Sequence, residues 1–340
     1  MCKLFRGLFL CFLCVYASRN FAQQLPQYTQ YLFNNYVLNP AITGIENYVD
    51  LKTAYRSQWQ GIEGAPETGT ITLSLPVGKE FSWDNATSSG ANGNNPMGRS
   101  YIQEYRAAAP HHGFGLIGVM DKIGPISNTY FNLTYAYHLG LAPKLNLSLG
   151  VSAGGTLTSL DRSKLNPSDA NDKTSSTNIS GVLSPDLGSG IWLYSPRFFM
   201  GISGQQLLGG SLLGSGSDQG ITIIKKVPHF FLMAGYKAFI AEELALIPSV
   251  LLKKSGPASL SIDLNTKLSI KDRLWVGASF RRNDSFSGLM GLNISHLLNL
   301  GYSYDFTTSE LQKVAGGTHE IVLGLLLNNK YRVICPQRNW

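Results

Sequence analysis

Apolar and polar residues alternate along much of this chain with a repeat of two. Between Ser259 and Ile270, even-numbered positions are apolar except Thr266, and odd-numbered positions are small, polar or charged. The segments 144–156 and 297–306 repeat this pattern. Side chains of a β-strand alternate between two faces, whereas a helix would mix both sets around its circumference. The pattern therefore predicts strands with one apolar face and one face of small polar residues.

The predicted strands are long enough to cross a bilayer. Each has roughly 9 to 13 residues, about what a tilted transmembrane strand needs, whereas soluble strands have about 5 or 6. Large apolar residues suit lipid and small polar ones suit a barrel lumen, so a soluble β-sandwich is the weaker alternative. We count about fourteen such segments. They lie at residues 49–59, 69–78, 112–123, 126–139, 144–157, 187–195, 197–207, 227–239, 244–254, 258–270, 273–282, 285–295, 297–306 and 319–329.

The links between segments predict how the strands are arranged. Many are short and turn-like, which indicates an up-and-down meander, and closing that meander removes its exposed edges. We therefore predict an all-β fold, a transmembrane antiparallel β-barrel of about 14 strands with a short N-terminal periplasmic or plug segment. The long links 158–186, 208–226 and 307–318 follow odd-numbered strands and would face outside. The link 79–111 follows the second strand, so it is either a periplasmic insertion or a sign that the count slips by one strand.

The start of the chain has the three parts of a secretory signal peptide. Lys3 and Arg6 precede an apolar run at 8–17, and Ala22 is a small residue at the expected cleavage site. The run is too short for the roughly 20 residues of a membrane-spanning helix. We predict cleavage after Ala22 and four regions along the chain. They are the signal peptide 1–22, the N-terminal segment 23–48, the barrel 49–334 with the insertion at about 79–111, and the tail 335–340.

Composition and charge narrow the class of partner. Charged residues make up 14% of the chain, compared with roughly 25% in soluble proteins. The net charge of +7 is spread out, and no run of Lys or Arg exceeds two residues. These features predict outer-membrane lipid as a partner and no nucleic acid. After cleavage Cys335 would be the single cysteine, which excludes an internal disulfide and, with no base nearby, argues against a catalytic thiol.

Candidate chemistry is sparse. His111 and His112 are the closest histidine pair, but adjacent strand residues point to opposite faces, so we predict no metal site. Neither a P-loop nor a dinucleotide fingerprint occurs, the Gly-rich stretch 209–220 is interpreted as a loop, and we expect no cofactor. Asp121, Asp263, Asp305 and His138 could form a hydrolase site, although their spacing does not show that they meet.

Aromatic residues lie near several predicted strand ends. An aromatic girdle at the membrane interfaces would explain them, as would the ordinary β-propensity of aromatic residues. The residues concerned are Trp59, Tyr135, Tyr137, Trp192, Tyr194, Trp275, Tyr302 and Tyr304.

Several short motifs, in order along the chain, resemble those of the PorP/SprF family of Bacteroidetes membrane proteins. They start with Gln23 to Asn34 and continue through almost all of the predicted mature chain. Each motif is weakly specific, but the ordered set is specific. The motifs are Leu38-Asn39-Pro40-Ala41 with Gly44, Tyr55 to Gly61, Gly64 to Thr68, Asp121 to Gly124, Pro248-Ser249, Trp275 to Gly277, Gly301 to Asp305 and Thr318 to Ile321. The insertion at 79–111 and the link 209–220 depart from the family pattern in length.

The resemblance implies a function that periodicity alone does not. Members of this family resemble non-enzymatic outer-membrane components of the type IX secretion system, which assist secretion or surface attachment of large adhesins, including gliding adhesins. It implies two partners, an adhesin with a C-terminal sorting domain and other secretion components, and no catalytic residue. Family-motif positions become candidates for partner contact, although strand register and turns would explain them too. The candidates are Asn39, Pro40, Arg56, Trp59, Gly64, Pro66, Asp121, Tyr304, Asp305, His319 and Glu320.

Two other functions stay open at this point. One is a channel for small or hydrophobic solutes, in which the segment from Gln23 to Gly44 would plug the lumen. The other is the outer-membrane hydrolase built on Asp121, Asp305 and His138.

Overall fold

The computed structural model describes residues 28–78, 107–161, 164, 182–213 and 222–328, apart from 242, 257, 272 and 296. The predicted signal peptide, most of the insertion at 79–111 and the tail 335–340 lie outside these residues. Within the described ranges, no helix is long and apolar enough to span a membrane.

The described residues are mostly in strands. Short 3-10 turns cover Asn35–Val37, Pro40–Ile42 and Glu310–Lys313. The strands are β1 Val49–Ser57, β2 Glu67–Val77, β3 His111–Ile123, β4 Ile126–Ala142, β5 Leu145–Leu160, β6 Val182–Tyr194, β7 Phe198–Gln205, β8 Gly210–Leu213, β9 Thr222–Lys226, β10 His229–Tyr236, β11 Ala238–Ala241, β12 Leu244–Ser255, β13 Ser261–Ile270, β14 Leu274–Arg281, β15 Ser285–Asn293, β16 Leu298–Thr307 and β17 Thr318–Leu327.

Fourteen of these strands close into one antiparallel barrel. Neighbours along the chain pair with each other, β10 joins β7 to β12, and β1 pairs with β17 to complete the ring. Strand β11 continues β10 beyond Lys237, and β8 and β9 form a separate hairpin. The predicted fold class is confirmed. The predicted strand 227–239 is interrupted at Lys237, and the stretch interpreted as a loop at 209–220 contains β8.

The barrel has two distinct ends. At the loop end, where β1 finishes and β17 begins, lie the links 58–66, 124–125, 206–228, 282–284 and 308–317. The terminal end, where β1 begins and β17 finishes, carries the turns 143–144, 195–197, 271–273 and 294–297. The long links that follow odd-numbered strands thus share the loop end, as the parity argument predicted. Val77 of β2 pairs directly with His112 of β3, so the count does not slip and the link 79–111 belongs to the terminal end.

Alternating side chains give the wall two different faces. On β13, Asp263 is fully buried and Asn265 is buried, whereas Leu264 between them is 51% exposed on the outside. The same alternation runs through β5 and β16, with small polar residues inside and leucines outside. Lipid accepts the apolar outer face, and the lumen accepts the polar inner one.

The lumen contains a segment of the same chain, which we call the plug, residues 28–48. Its apolar side chains pack against apolar side chains on the inner faces of β3, β6, β7, β10 and β12, so a hydrophobic core forms inside the barrel. The plug contributes Tyr31, Leu32, Tyr36, Leu38, Ala41, Ile42 and Ile45, and the wall contributes Ile117, Val119, Trp192, Tyr194, Phe199, Phe231, Met233, Ile247 and Leu251.

This core corrects part of the aromatic prediction. Trp192, at 0% exposure, Tyr194 and Trp275 point into the lumen, so of the two explanations left open the membrane-facing girdle does not apply to them. They fill space beside the plug, which a lumen of small polar residues would leave open. Tyr135 and Tyr302 do lie on the outward face of their strands.

Glycines bring the wall close to the plug backbone. A Cβ added at Gly113 would lie well within 3.0 Å of the Thr43 carbonyl oxygen, and one at Gly150 would lie equally close to the Ala41 nitrogen. A Cβ at Gly190 would clash with the Asn39 side chain. The inner wall is therefore shaped to this segment, because any larger residue at these positions would push the plug away.

Replacing Gly150 with valine should therefore loosen the plug. The added branched side chain overlaps Ala41, and overpacking of this kind destabilises by about 1–3 kcal/mol. The measurement is the midpoint of thermal unfolding of the purified barrel in detergent, which should fall. The matched control is Gly69→Val on β2, where an added Cβ meets nothing within 4 Å. Equal midpoints for the two variants would contradict the fit between wall and plug.

Candidate functional site

A buried ionic cluster lies inside the barrel near the loop end. The register of β1 and β17 places Arg56 directly opposite Glu320, and Asp305 occupies the same inner face on β16. The Arg56 guanidinium binds Glu320 Oε2 at 2.8 Å and Asp305 Oδ2 at 2.7 Å. All three side chains are at most 4% exposed, so water screens these charges little.

The plug completes this cluster. The Thr29 amide donates to Glu320 Oε2 at 2.9 Å, and the Thr29 hydroxyl donates to Asp305 Oδ2 at 2.7 Å. The same hydroxyl accepts from Arg56 at 2.7 Å. The Gln30 side chain donates to the backbone carbonyl oxygen of Glu320 at 2.9 Å. One guanidinium faces two carboxylates, and the plug adds further donors to both through the Thr29 amide and hydroxyl. We call these five residues the latch.

A second ionic cluster lies beside the latch. Asp263 binds Lys253 Nζ at 2.9 Å and Arg281 Nε at 3.1 Å, and Arg281 also binds Asp284 at 3.0 Å. The Nη2 atom of Arg281 donates to the Tyr28 carbonyl oxygen at 3.5 Å. Two cations balance two carboxylates here, so the charges of this cluster are neutralised without the plug. The cluster contributes one hydrogen bond to the plug.

The terminal half of the plug is held through its backbone. His111 and His138 stack with ring centroids 4.4 Å apart. Their Nε2 atoms lie 3.1 Å from the Gly44 carbonyl oxygen and 2.7 Å from the Thr43 carbonyl oxygen. Because a carbonyl only accepts, each of these ring nitrogens donates. The two histidines therefore fix the plug backbone just before it enters β1.

Asn39 and Pro40 are themselves part of the plug. The Asn39 side chain accepts from the Ala41 amide at 2.9 Å and caps the 3-10 turn, in which Pro40 is the first residue. The side-chain nitrogen of Asn39 donates to the Ile191 carbonyl oxygen of β6 at 3.1 Å. These two motif residues thus shape the plug and join it to the wall.

The three residues of the hydrolase hypothesis do not meet. Asp121, buried near the loop end of β3, accepts from the Thr68 hydroxyl at 2.7 Å. Asp305 belongs to the latch, and His138 lies near the terminal end with the plug backbone as its partner. The structure therefore does not assemble a catalytic site from these residues.

The link 58–66 forms an interlocked rim at the loop end. The Gln60 amide donates to the Gly317 carbonyl oxygen at 3.2 Å, and the Gly316 amide donates back to Gln60 at 2.7 Å. The Gly124 amide donates to the Gly64 carbonyl oxygen at 2.9 Å, and Gly64 takes the positive φ of 72° that this turn requires. We call residues 58–66, with 124 and 316–318, the rim.

Trp59 and Pro66 are the other motif residues of the rim. The Trp59 amide donates to the Thr318 hydroxyl at 3.2 Å, and the Pro66 carbonyl oxygen accepts from Gln58 at 3.0 Å. These bonds hold one ordered surface across the links of β1, β3 and β16.

Tyr304 and His319 face outward beneath the rim. The His319 ring lies edge-on to Tyr304 at 4.8 Å between centroids, and its Nδ1 lies 2.8 Å from the Tyr302 hydroxyl. Amphipathic rings of this kind suit the boundary between lipid tails and headgroups. The structure thus divides the eleven motif candidates among the plug, the inner wall, the rim and the outer surface.

Sequence reasoning missed the partners that make these positions a site. Thr29 and Gln30 belong to the predicted N-terminal periplasmic or plug segment, but that segment has no periodicity, so no pattern pointed to their partners on the wall. Asp263 and Arg281 did carry a signal, because both are charged residues on the inner faces of predicted neighbouring strands. Pairing those strands across their turn would have brought them together.

One protein family matches most of the chain. The family model described as "Type IX secretion system membrane protein PorP/SprF" matches residues 20–325. No curated protein matches this chain. Among solved structures, the outer membrane protein Omp33 of Acinetobacter baumannii is 10% identical with a TM-score of 0.47, covering 84% of this chain and 100% of that one. The toluene transporter TbuX of Ralstonia pickettii is 11% identical with a TM-score of 0.49, covering 88% and 93%.

Removing the cation of the latch should destabilise the protein strongly. The variant Arg56→Met leaves two buried carboxylates without their positive partner, which typically costs about 3–5 kcal/mol. The measurement is the free energy of unfolding in urea, with the barrel in detergent micelles. Lys313→Met is the control, because Lys313 and its partner Glu310 are both largely exposed, and removing such a pair costs less than about 1 kcal/mol. Similar losses in both variants would show that the latch does not hold the plug.

Proposed function

This chain belongs to the PorP/SprF family of type IX secretion system membrane proteins, and on that premise we propose that it is a non-conducting barrel that assists surface attachment of large secreted adhesins. Its partners would be an adhesin with a C-terminal sorting domain and other components of the secretion system. The barrel together with the family supports an outer-membrane location, with lipid around the apolar outer face.

The filled lumen is the observation that carries the non-conducting part of the proposal. Side chains of the plug form one hydrophobic core with the inner wall, and the latch and the histidine pair hold the plug at two levels. A channel for small or hydrophobic solutes would need this core to part. The alternative of a solute channel therefore has less support than a role as a closed platform.

The rim is the surface best suited to hold a partner. Its backbone is ordered by hydrogen bonds between three links, so binding would cost little additional ordering. Gln60, Glu63 and Gly64 are exposed there and available to another protein. We assign partner contact to the exposed part of the rim and to Tyr304 and His319 at its outer side. The remaining motif positions, Arg56, Asp305, Glu320, Asp121, Asn39 and Pro40, would serve the fold.

Electrical recordings test whether the lumen is closed. The protein reconstituted in planar bilayers should show little steady conductance, because the plug fills the pore. A variant lacking residues 28–44 should conduct, provided that it still migrates as a folded barrel before heating. Steady conductance by the unmodified protein, equal to that of the deletion variant, would favour the channel function instead.

Site-directed crosslinking tests the partner. A photoreactive residue at Glu63 in the rim should capture a large secreted protein through its sorting domain, identified by mass spectrometry. Lys144 is the matched control position, since it is equally exposed but lies in a turn at the terminal end. In parallel, deleting the gene should abolish surface display of that same protein, and the intact gene should restore it. Normal display in the deletion strain would refute the proposed role.

A further inference from the structure

The two ends of the plug contact the wall at opposite ends of the barrel. At its first described residue, the Tyr28 carbonyl oxygen accepts from Arg281, the last residue of β14 at the loop end. Thr29 binds Arg56, one residue before the loop end of β1. The plug therefore starts at the loop end.

The following residues lead to the opposite end, although not steadily, because the Phe33 ring already packs against Trp275, the second residue of β14 at the terminal end. The Tyr36 hydroxyl lies 2.5 Å from the Thr134 hydroxyl, halfway along β4. The Gly44 carbonyl oxygen contacts His111, the first residue of β3 at the terminal end. The chain then enters β1 at Val49, also at the terminal end. The plug thus passes through the full height of the barrel once.

The length of the segment agrees with a single pass. The apolar band of such a barrel is about 25 Å tall, which about 8 fully extended residues would cover. The plug uses residues 28–48 for the same distance, so it is far from extended, and two 3-10 turns, Asn35–Val37 and Pro40–Ile42, lie along its path. The different anchors at its two ends, side-chain ions at one and backbone carbonyls at the other, keep it in this direction.

We propose that the chain threads its own barrel, so that it reaches Tyr28 from the loop end, beside the rim, and not from the terminal end where β1 starts. The amino-terminal side of the plug and the rim then belong to one face of the protein. A partner that binds the rim meets this part of the chain as well. The inference rests on the path of the plug and holds with or without a role in secretion.

Accessibility of inserted epitope tags tests the threading. One tag is placed after Gln24, a second after Lys313 in the link 308–317, and a third after Pro143 in a turn of the terminal end. For each, antibody binding to intact cells is divided by binding to permeabilised cells. We expect the ratio for the Gln24 tag to match that of the Lys313 tag and to differ by at least about tenfold from that of the Pro143 tag. This comparison does not depend on which end faces outside.

A disulfide between plug and wall shows that the tagged protein keeps its path. The hydroxyls of Thr43 and Thr134 lie 3.0 Å apart, so Thr43→Cys with Thr134→Cys places two thiols within bonding range. Tags are scored in this background, with Cys335→Ser, and only in the disulfide-bonded fraction. A Gln24 tag that groups with the Pro143 tag in this fraction would overturn the inference.

Discussion

Every backbone N–H and C=O group that faces lipid must find a partner within the protein, and the rest of this structure depends on that constraint. Fourteen strands satisfy it by closing between β1 and β17. Closure in turn creates a lumen with inward-facing carboxylates such as Asp305 and Glu320. These groups need donors, and the plug provides them through the Thr29 amide and hydroxyl and the Gln30 backbone amide. The wall and the plug therefore depend on each other to satisfy the buried polar groups of the barrel.

The sequence predicted the wall well because lipid imposes a repeat of two on every strand. It predicted strand bounds and side-chain directions less well where strand pairing or packing against the plug determines them. Strand β6 begins at Val182, ahead of the predicted start at 187, because pairing with β5 carries it past Pro185. The inward direction of Trp192 was missed, since alternation identifies two faces but does not say that an apolar residue faces an apolar plug.

The candidate site was predicted residue by residue but not as an arrangement. Arg56, Asp305 and Glu320 were singled out through the family motifs, yet their meeting depends on the register of three strands that are up to 264 residues apart. No local pattern encodes that register. The path of the plug was equally hidden, because its residues follow the shape of the lumen and have no periodicity of their own.

The position of the latch has a consequence for how the barrel assembles. Arg56 lies on the first strand and Glu320 on the last, so the ion pair spans the seam at which the ring closes. A ring that closed around a lumen without the plug would leave two carboxylates facing one cation and would lack the amide donors of the plug. Correct insertion of the amino-terminal segment therefore stabilises the seam itself, and the molecule couples completion of its wall to occupation of its interior.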